Sequence, residues 1–538
     1  MSAHIDGFAR TQLPPPELWP VIDSSKPPLK DLPRQLNAAV WLLDRQIEAG
    51  FGASPAIRFA DRVWTYDALR DRADRIARVL TEDLGLVPGN RVLLHSPNTL
   101  MMVAAWFAVL KAGGVCVATM PLLRARELTY ICAKARITHA LCDLRLGDEV
   151  TATQEKEPGL GHVMRFTALG EGTDPAAELD AAMVQKGPGF SNVATDADDV
   201  AIIAFTSGTT GPAKGTMHFH RDLVAACDCF PKLLDIKPGD LFTGTPPLAF
   251  TFGLGALVLF PFSRGAAVLL QENFTPEKLL EAVQKYRVTG LYTAPTAYRA
   301  MSDLAGKFDL SSLRLCVSAG EHLPQPTWER WRQVTGLRIV DGIGATEMLH
   351  IFIAAAGDDI RPGATGRVVP GYEACILGDD GLPAPPETMG RLAVKGPTGC
   401  RYLDNLERQQ AYVKNGWNLT GDIYRMDADG YFWYQARSDD MIISAGYNIS
   451  GIEVENVLLD HPKVAECAVI GAPDPERGQV VKAYIVLRDP ALAGEATTKE
   501  LQDYVKAQIA PYKYPRQIDY RDSLPRTLTG KLQRFMLR

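Results

Sequence analysis

The sequence predicts an α/β protein with a large N-terminal domain, built from layered α/β subdomains with mostly parallel sheets, and a small α+β C-terminal domain. The chain has 538 residues, more than the roughly 250–300 residues at which a single hydrophobic core stops growing. From about residue 41 to residue 274, helix-like segments alternate with short apolar or β-branched runs, as in α/β layers. These two observations predict at least two domains, the first of them α/β.

The composition is that of a globular protein. Apolar residues make up 46% of the chain and charged residues 22%, which excludes disordered and fibrous classes. Lys and Arg number 57 against 63 Asp and Glu, so the basic excess typical of nucleic-acid-binding proteins is missing. Nine cysteines, an odd number, favour free thiols in a reducing compartment over a disulfide framework. We expect a cytoplasmic protein that does not bind nucleic acid.

The N-terminal region shows neither a secretory signal nor a membrane span. Residues 1–10 lack the apolar segment of a signal peptide. The longest apolar stretches, Leu100–Leu110 and Pro246–Phe262, are too short or too interrupted for the roughly 20 apolar residues of a spanning helix. We interpret both as buried core. Prolines at 14–16 and 27–28 favour a lead segment that wraps the surface.

The sequence predicts one long helix, several short strands and a hinge in order along the chain. Residues 64–84 look helical, and 91–95, 115–119 and 200–205 look like short strands. An aromatic strand at 431–434 precedes the polar stretch 435–440, which we interpret as a hinge. The predicted domains are therefore residues 1–436 and 437–538, the second being large enough for a small domain.

A loop rich in glycine and hydroxyl groups follows the predicted strand 201–205. It contains Thr206, Ser207, Gly208, Thr209, Thr210 and Lys214. Glycines let backbone N–H groups converge on an anion, and the hydroxyls and the lysine add donors and charge, so the loop suits a polyphosphate. A flexible surface loop has a similar composition and stays open as an alternative.

Other common motifs fit poorly. The spacing of Gly208, Gly211 and Lys214 differs from that of the P-loop of NTPases. Gly342-x-Gly344 lacks the third glycine of the dinucleotide-binding fingerprint, and the Gly-x-Ser-x-Gly of hydrolases is absent around Ser318. His218 and His220 have no third ligand at zinc-like spacing, so a helix-start or packing role is favoured.

The loop at 206–215 resembles the signature loop of the acyl-adenylate-forming superfamily, which includes acyl- and aryl-CoA ligases. Further segments resemble that family's motifs in the expected order: residues 344–347 (GATE), 420–422 (TGD), 437–442 (RSDDMI) and 525–531 (PRTLTGK). Residues 341–352 look most like the benzoate-CoA ligase group, and residues 247–255 are similar to the 2-aminobenzoate (anthranilate) branch. The resemblance covers most of the chain.

The resemblance implies two half-reactions. A carboxylate attacks the α-phosphorus of ATP to give an acyl-adenylate and pyrophosphate, and the thiol of coenzyme A then displaces AMP. No enzyme nucleophile is needed, so catalysis depends on positioning and on stabilising charge at phosphoryl oxygens. The implied cofactors are ATP, Mg²⁺ and, as co-substrate, coenzyme A.

The resemblance also assigns roles to residues. Thr346 would contact the α-phosphate and Glu347 would bind Mg²⁺, an ion that prefers oxygen ligands. Asp422 would hold the ribose hydroxyls, with Arg437 making a further ribose or phosphate contact. The implied ATP-binding set is Thr206, Ser207, Gly208, Thr209, Thr210, Lys214, Ala319, Gly320, Glu321, Asp341, Gly342, Ile343, Gly344, Thr346, Asp422, Arg437 and Lys531.

Each role has a simpler alternative. Glu347 on its own would be read as a surface carboxylate, Asp422 as a residue that stabilises a Thr-Gly turn, and Arg437 as half of a solvated ion pair. Many family members place an aromatic ring against adenine where this chain has Ile343. In this chain we expect aliphatic packing of Ile343 to replace the stacking of an aromatic ring against adenine.

The C-terminal domain carries the remaining implied residues. Lys531 corresponds to the lysine that bridges the carboxylate and the α-phosphate during adenylation. Asp439 is the hinge residue about which this mobile domain rotates between half-reactions. Ser444, Ala445 and Gly446 would line the pantetheine tunnel for coenzyme A.

The acyl group is expected to be aromatic. The resemblance places Phe250, Thr251, Phe252, Gly344, His350 and Ile351 around it. The phenylalanines offer ring contacts, Gly253 and Gly255 leave room, and His350 can hydrogen-bond a ring substituent. The alternative is that these phenylalanines alternate along a strand and pack in the core. We expect benzoate or a substituted benzoate, with 2-aminobenzoate favoured.

Three other functions stay open. A standalone adenylating enzyme would load a separate carrier protein instead of coenzyme A, and a CoA ligase for an aliphatic acid would share the ATP site. A regulatory protein without catalysis is disfavoured because Lys531, Glu347 and Asp422 are all present. The sequence leaves the oligomeric state open, and a homodimer is compatible with it.

Overall fold

A computed structural model describes residues 1–206, 213–378, 380–437, 440–444, 447–474, 477–526 and 532–538. The strands in the described ranges are β1 Pro55–Phe59, β2 Arg62–Thr65, β3 Arg91–His95, β4 Val115–Thr119, β5 His139–Asp143, β6 His162–Phe166, β7 Val200–Thr206, β8 Lys214–Phe219, β9 Leu241–Gly244, β10 Ala267–Leu270, β11 Gly290–Thr293, β12 Leu315–Ala319, β13 Ile339–Gly344, β14 Ile351–Ala354, β15 Arg367–Val368, β16 Glu373–Leu377, β17 Met389–Lys395, β18 Val413–Lys414, β19 Trp417–Met426, β20 Phe432–Arg437, β21 Ile442–Ser444, β22 Tyr447–Ile449, β23 Val464–Asp474, β24 Gly478–Leu487 and β25 Gln517–Tyr520.

The α-helices are α1 Phe8–Thr11, α2 Tyr66–Arg78, α3 Leu100–Lys111, α4 Ala125–Ala135, α5 Gly147–Lys156, α6 Glu178–Val184, α7 His220–Cys227, α8 Thr251–Leu254, α9 Phe260–Phe262, α10 Pro276–Tyr286, α11 Pro295–Ser302, α12 Gln325–Thr335, α13 Leu406–Tyr412, α14 Gly451–Asp460 and α15 Glu495–Gln508. Short π-helical segments at Val40–Asp44, Ile47–Phe51, Val79–Asp83 and Gly255–Leu259 adjoin them.

Two large sheets form the N-terminal part. The first has six strands in the order β6-β5-β3-β4-β7-β8, and the second has nine in the order β15-β14-β13-β12-β11-β9-β10-β1-β2. The interior pairs of both sheets are parallel, while β8, β14, β15 and β2 pair antiparallel at the edges. Helices connect the parallel strands, because a parallel crossover needs a long connection. The predicted α/β class with mostly parallel sheets is confirmed.

Two five-stranded sheets follow. The first, β16 to β20, is antiparallel throughout. The second, β21 to β25, is antiparallel apart from the β24–β25 pair. Helices α14 and α15 pack with this last sheet around a core cluster drawn entirely from residues 442–520. The end of the chain therefore has an α+β core of its own.

The central core lies between the two large sheets. Every residue of α3 is buried, from Leu100 to Lys111, and one cluster joins α3 to strands of both sheets. This confirms that Leu100–Leu110 is core. Among the described residues, no helix is long and apolar enough to cross a membrane.

Element boundaries differ from the sequence expectation at one long helix. The helical pattern begins at Trp64, but the structure places Trp64 in β2 and begins α2 at Tyr66. The hydroxyl of Thr65 accepts a hydrogen bond from the N–H of Ala68 and so caps the helix. The cap fixes the first residue of the helix, although the apolar periodicity of the sequence already begins before that residue.

Candidate active site

The predicted ATP-binding residues gather at the carboxyl ends of parallel strands. Thr206 ends β7, Ala319 ends β12 and Gly344 ends β13. Strands β12 and β13 are neighbours in the nine-stranded sheet. Ligands of open α/β sheets bind at this edge, so the fold brings together residues that lie more than a hundred positions apart.

A hairpin carries the predicted phosphate loop. Strands β7 and β8 pair antiparallel, with Thr206 opposite Lys214. The predicted residues Ser207, Gly208, Thr209 and Thr210 lie outside the described residues. Burial and the neighbouring guanidinium of Arg408 lower the pKa of Lys214, while the Glu347 carboxylate opposes that shift. Lys214, Arg408 and Glu347 thus interact electrostatically in one region.

Glu347 lies in a short turn directly after β13. Residues Thr346–Met348 form one 3₁₀ turn. The Glu347 carboxylate accepts a hydrogen bond of 2.5 Å from the hydroxyl of Tyr402. The Tyr402 side chain is buried, 1% exposed, and packs edge-on against Tyr412. Sequence reasoning missed Tyr402, because no local pattern marks it.

The backbone of the same turn has a second anchor. Nε2 of His218 lies 2.7 Å from the carbonyl oxygen of Thr346. His218 comes from β8, and His220 begins α7, which fits the packing and helix-start roles favoured from the sequence. The turn that contains Thr346 and Glu347 is therefore held from the hairpin side.

Asp422 and Arg437 face each other across two strands. They are register partners in the β19–β20 pair, and Nη1 of Arg437 lies 2.9 Å from Oδ1 of Asp422. The sequence suggested a Thr-Gly turn before Asp422, but Thr420 and Gly421 lie inside β19. The β17–β19 register shifts at this point, and Gly421 has φ +77°. A β-bulge, and not a turn, therefore sets the direction of the Asp422 carboxylate.

The predicted adenine-side residues surround the ends of β12 and β13. Gly320 has φ +91°, a conformation that favours glycine. Nη1 of Arg526 lies 3.7 Å from Oε1 of Glu321, which links the C-terminal part to this loop. Burial raises the pKa of the Asp341 carboxyl well above its usual range. Gly342 and Ile343 follow in the same strand.

The predicted acyl-pocket phenylalanines do not lie on a strand. Phe250 precedes α8, and Thr251 and Phe252 form its first turn. Nor do the two glycines leave room for a ligand: a Cβ at Gly253 would lie 2.0 Å from the Pro247 carbonyl oxygen, and one at Gly255 would lie 2.2 Å from the His350 ring. The expectation that the glycines leave room was wrong, because the chain itself fills these spaces, and the strand assumed in the alternative interpretation is a helix.

His350 lies among aromatic rings. Its ring centroid is 4.4 Å from that of Phe260, and 5.8 Å from those of Phe230 and Phe252. Burial lowers the pKa of His350 to about 3, so the imidazole is neutral at pH 7. Nε2 lies 3.4 Å from the Phe252 carbonyl oxygen, which only accepts, so Nε2 carries the hydrogen. Nδ1 is then a buried acceptor without a partner among the described residues.

The predicted acyl residues divide into two groups. Phe250 and Thr251 border a small cavity with a mainly apolar lining. Phe252, His350 and Ile351 belong to the packed side, where the His350 backbone lies 2.8 Å from the position that a Cβ of Gly344 would take. Gly344 is thus required by the close approach of the next strand. The cavity is lined by Trp106, Cys116, Ala118, Ile202, Ile203, Ala204, Leu248, Ala249, Phe250, Thr251 and Leu254.

The C-terminal predictions fall largely outside the described residues, which omit Asp439, Ala445, Gly446 and Lys531. Ser444 is buried and ends β21. Arg526 and Leu532, the described residues nearest to Lys531 on either side, form an antiparallel bridge. Arg526 also pairs with Glu466 at 2.9 Å, so a bridge and an ion pair fix the base of this segment.

Comparison with known proteins identifies the family. Residues 43–402 match the AMP-binding enzyme family, and residues 453–531 match the AMP-binding enzyme C-terminal domain. The chain therefore belongs to the AMP-binding enzyme family, and the resemblance inferred from its motifs is confirmed.

Named relatives cover nearly the whole chain. A benzoate-CoA ligase from Thauera aromatica is 36% identical over 522 residues, which is 96% of this chain and 98% of that protein. A crystal structure of an anthranilate-CoA ligase in complex with anthranoyl-AMP aligns with TM-score 0.89 and 33% identity, covering 94% of this chain and 98% of that one. A benzoate-CoA ligase from Burkholderia xenovorans LB400 aligns with TM-score 0.83 and 32% identity, covering 93% and 99%.

Proposed function

We propose that this protein is an aryl-CoA ligase. It activates a benzoate-type carboxylate with ATP to an acyl-adenylate and pyrophosphate, and then transfers the acyl group to coenzyme A with release of AMP. The observation that carries the proposal is that Lys214 interacts electrostatically with Glu347 and Arg437, while Arg437 forms an ion pair with Asp422. The names of the relatives support the aromatic acid and coenzyme A as substrates.

The charges of the site suit a nucleotide triphosphate. Lys214 interacts electrostatically with both Arg408 and Arg437, so a polyphosphate would replace repulsion between cations with attraction. Asp422 offers carboxylate oxygens to the ribose hydroxyls, and Arg437 holds that carboxylate in place. The proposed ATP-binding residues are those predicted from the sequence.

Glu347 has the chemistry of a magnesium ligand. One of its oxygens accepts from Tyr402, which leaves the other oxygen to bind a cation. Mg²⁺ is commonly bound through one or two carboxylates together with substrate phosphates, so the residues present fit the ion. When bound, Mg²⁺ would neutralise charge on the phosphate oxygens. Thr346 would then position the α-phosphate beside it.

Adenylation needs a cation at the reacting centre as well. We assign Lys531 to this role, as the residue that bridges the acid and the α-phosphate. Stabilisation of charge by preorganised donors is usually the largest contribution to catalysis of this kind. The bridge between Arg526 and Leu532 and the ion pair from Arg526 to Glu321 support this assignment, because Arg526, the nearest described residue before the lysine, lies against the adenine-side loop.

The acid is proposed to be 2-aminobenzoate or benzoate. The cavity beside Phe250 and Thr251 is lined mainly by apolar side chains, among them those of Trp106 and Leu254, which suits an aromatic ring. Nδ1 of His350 is an acceptor without a partner among the described residues. For an amino substituent on the ring to donate to it, the packing around His350, which lies outside the lining of this cavity, has to open when the acid binds.

The second half-reaction is assigned to a rearrangement of the C-terminal domain. We propose domains at residues 1–436 and 437–538, with Asp439 as the hinge. The separate core within residues 442–520 supports a unit that can move as a body. Ser444, Ala445 and Gly446 would then line the path of the pantetheine arm.

The state of the cysteine thiols is the basis for a proposal about the cellular compartment. All nine cysteines are free, and eight are buried, which supports a reducing compartment and hence the cytoplasm. The proposed partners are the aromatic acid, ATP and coenzyme A, with neither nucleic acid nor membrane required; a homodimer is a further proposal for solution measurement.

The decisive experiment is pyrophosphate release from Mg-ATP with benzoate, 2-aminobenzoate, hydroxybenzoates, acetate and octanoate, each with and without coenzyme A. Turnover that requires ring acids and is stimulated by coenzyme A is the expected result. Release that is confined to acetate or octanoate would contradict the aromatic assignment. Release without acyl-CoA formation would favour a carrier protein as the acceptor.

A further inference from the structure

A buried row of side chains runs from Arg401 to the Thr346 carbonyl. Nη1 of Arg401 lies 2.9 Å from Oδ2 of Asp222, and both side chains are fully buried. The same Oδ2 lies 3.7 Å from Nδ1 of His218, whose Nε2 is 2.7 Å from the Thr346 oxygen. We call Arg401, Asp222 and His218 the Arg401 network.

The direction of the hydrogen bond at Thr346 is fixed by chemistry. A backbone carbonyl only accepts, so Nε2 of His218 carries the hydrogen and donates it. Asp222 is held as a carboxylate: burial alone would raise its pKa, but Arg401 holds that pKa well below its usual range. The other edge of the His218 ring therefore faces a negatively charged carboxylate at 3.7 Å.

Arg401 is enclosed by aromatic rings. Its guanidinium lies 4.1 Å from the ring centroid of Phe219 and 5.0 Å from that of Trp19. Nε and Nη2 have no hydrogen-bond partner among the described residues, so stacking replaces hydrogen bonds there. Trp19 belongs to the proline-rich lead segment, which is further attached where the Leu18 carbonyl accepts from Gln409. The lead segment thus closes the network on its outer side.

Arg401 and its neighbour Tyr402 approach the same turn from two directions. Their backbone runs beside β8: Met217 donates to the Arg401 carbonyl, and Tyr402 forms a bridge with Thr216. Tyr402 donates to the Glu347 carboxylate, whereas Arg401 reaches Thr346 through Asp222 and His218. Successive residues of an extended segment point to opposite faces, so one dipeptide supports both residues of the turn.

We propose that His218, Asp222 and Arg401 are positioning residues that hold the Thr346–Glu347 turn in the geometry required for Mg-ATP. The inference rests on the proposed function of that turn. Groups that orient a metal ligand typically contribute about 10–100-fold to metal affinity or activity when removed. The effect belongs to the first half-reaction, because only ATP presents the β- and γ-phosphates whose charge Mg²⁺ would neutralise.

A purely structural role makes a different prediction. Breaking a fully buried ion pair destabilises the whole fold, which would lower the amount of active protein and slow both half-reactions by one common factor. A positioning role slows adenylation and leaves the transfer from a supplied acyl-adenylate to coenzyme A largely unchanged. The ratio of the two rates separates the roles.

The central test compares His218→Phe with His218→Gln. Phenylalanine keeps the ring but cannot donate, whereas the glutamine amide can donate to the Thr346 carbonyl. We expect His218→Phe to lower the adenylation rate about 10–100-fold and His218→Gln to recover most of it, with acyl transfer from synthetic benzoyl-AMP reduced less than about threefold. Asp222→Asn, which keeps an oxygen for the N–H of Phe219, provides a second variant with an intermediate loss.

A readout without turnover accompanies the rates. Calorimetric titration with ATP in the absence of acid, with and without Mg²⁺, measures how much the ion strengthens binding. We expect that gain to shrink in His218→Phe and to return in His218→Gln. Leu280→Ala in α10, a fully buried residue of a different core cluster, controls for destabilisation, and it should change neither the rate ratio nor the Mg²⁺ dependence.

Two results would overturn the inference: equal effects of His218→Phe and His218→Gln, or parallel losses in both half-reactions with an unchanged Mg²⁺ effect on ATP binding. A wild-type protein that binds Mg-ATP but activates none of the acids would count against the proposed function instead. The calorimetric comparison would still decide on the Arg401 network in that case.

Discussion

The hydroxyl of Tyr402 donates to the carboxylate of Glu347 at 2.5 Å, across a separation of 55 residues in sequence. Burial and the negative charge of Glu347 both raise the pKa of Tyr402, so the phenol keeps its proton and acts as the donor. A hydrogen bond to an ionised acceptor is stronger than one between neutral groups. The geometry of the proposed magnesium ligand is therefore set by a residue from a distant segment.

We expect Tyr402→Phe to slow adenylation about tenfold, since a hydrogen bond to a charged group is worth about 1.5–3 kcal/mol. The Mg²⁺ concentration for half-maximal pyrophosphate release should rise. Tyr412→Phe is a matched control, because its hydroxyl is buried without a partner among the described residues. Equal behaviour of the two variants would remove Tyr402 from the site.

The Asp422–Arg437 pair predicts a test with 2′-deoxy-ATP. If Asp422 accepts from the ribose hydroxyls, the wild-type protein should bind ATP more tightly than the deoxy analogue. Asp422→Asn should weaken ATP binding about tenfold or more, since the hydrogen bonds lose a charged acceptor, and should reduce the discrimination between the two nucleotides. Calorimetry with both nucleotides measures this, and undiminished discrimination in the variant would place the ribose elsewhere.

Lys531 is expected to act in one half-reaction. Removal of one preorganised donor typically costs about 10²–10³ in rate, so Lys531→Ala should lose at least that factor in pyrophosphate release. Transfer from synthetic benzoyl-AMP to coenzyme A should proceed near the wild-type rate. A comparable loss in that transfer would show that the lysine serves both steps or the fold itself.

His350 is predicted to select the ring substituent. His350→Phe removes the acceptor Nδ1 and keeps an aromatic ring, so kcat/KM for 2-aminobenzoate should fall relative to benzoate. One such contact is worth about 1–3 kcal/mol, which corresponds to roughly tenfold or more. Benzoate is the internal control, because it has no amino group. An unchanged ratio would mean that the amino group points away from His350.

Buried histidines predict how stability depends on pH. Burial lowers the pKa of His95 and His322 to about 4 and that of His220 and His350 to about 3. In the unfolded chain these groups bind protons near pH 6.5, so below that pH the unfolded state takes up protons that the folded state does not. The free energy of unfolding should fall as the pH drops from 7 to 5, by up to about 1.4 kcal/mol per histidine and pH unit.

Denaturant unfolding at a series of pH values measures this slope. His95→Gln is the informative variant, because His95 is fully buried and lies outside the proposed site. Its slope between pH 5 and pH 6.5 should be shallower than that of the wild type. A wild-type stability that does not change over this range would contradict the neutral state of the buried rings.

The fold was predictable to a large extent because short-range patterns encode it. Arg91–His95 and Val115–Thr119 form strands with the predicted bounds, since short runs of apolar and β-branched residues favour a buried strand. Local sequence patterns gave the wrong element where a strand-like alternation overlaps the start of a helix. Phe250 and Phe252 alternate like strand residues, yet the following segment continues as a helix through Gly255.

The type of chemistry at the site was predictable from the sequence. The contacts that hold the site residues in place were not. Thr346, Glu347 and Asp422 stand out through motifs, whereas Tyr402, Asp222 and Arg401 carry no local signal. Their roles arise because the segment at 401–403 pairs beside β8. Gly255 shows the opposite error: a glycine that suggested space for a ligand instead makes room for His350.

The sequence alone determined the α/β class and the family, and it supplied the residues that we propose to bind ATP, because these depend on periodicity and on contiguous motifs. Only the tertiary structure decided what holds those residues: the carboxylate of Glu347 against Tyr402, the carbonyl of Thr346 against His218, and Asp422 against Arg437. Such contacts join segments far apart in the chain. Their partners are chosen by the packing of sheets and loops, a three-dimensional property that no local stretch of residues specifies.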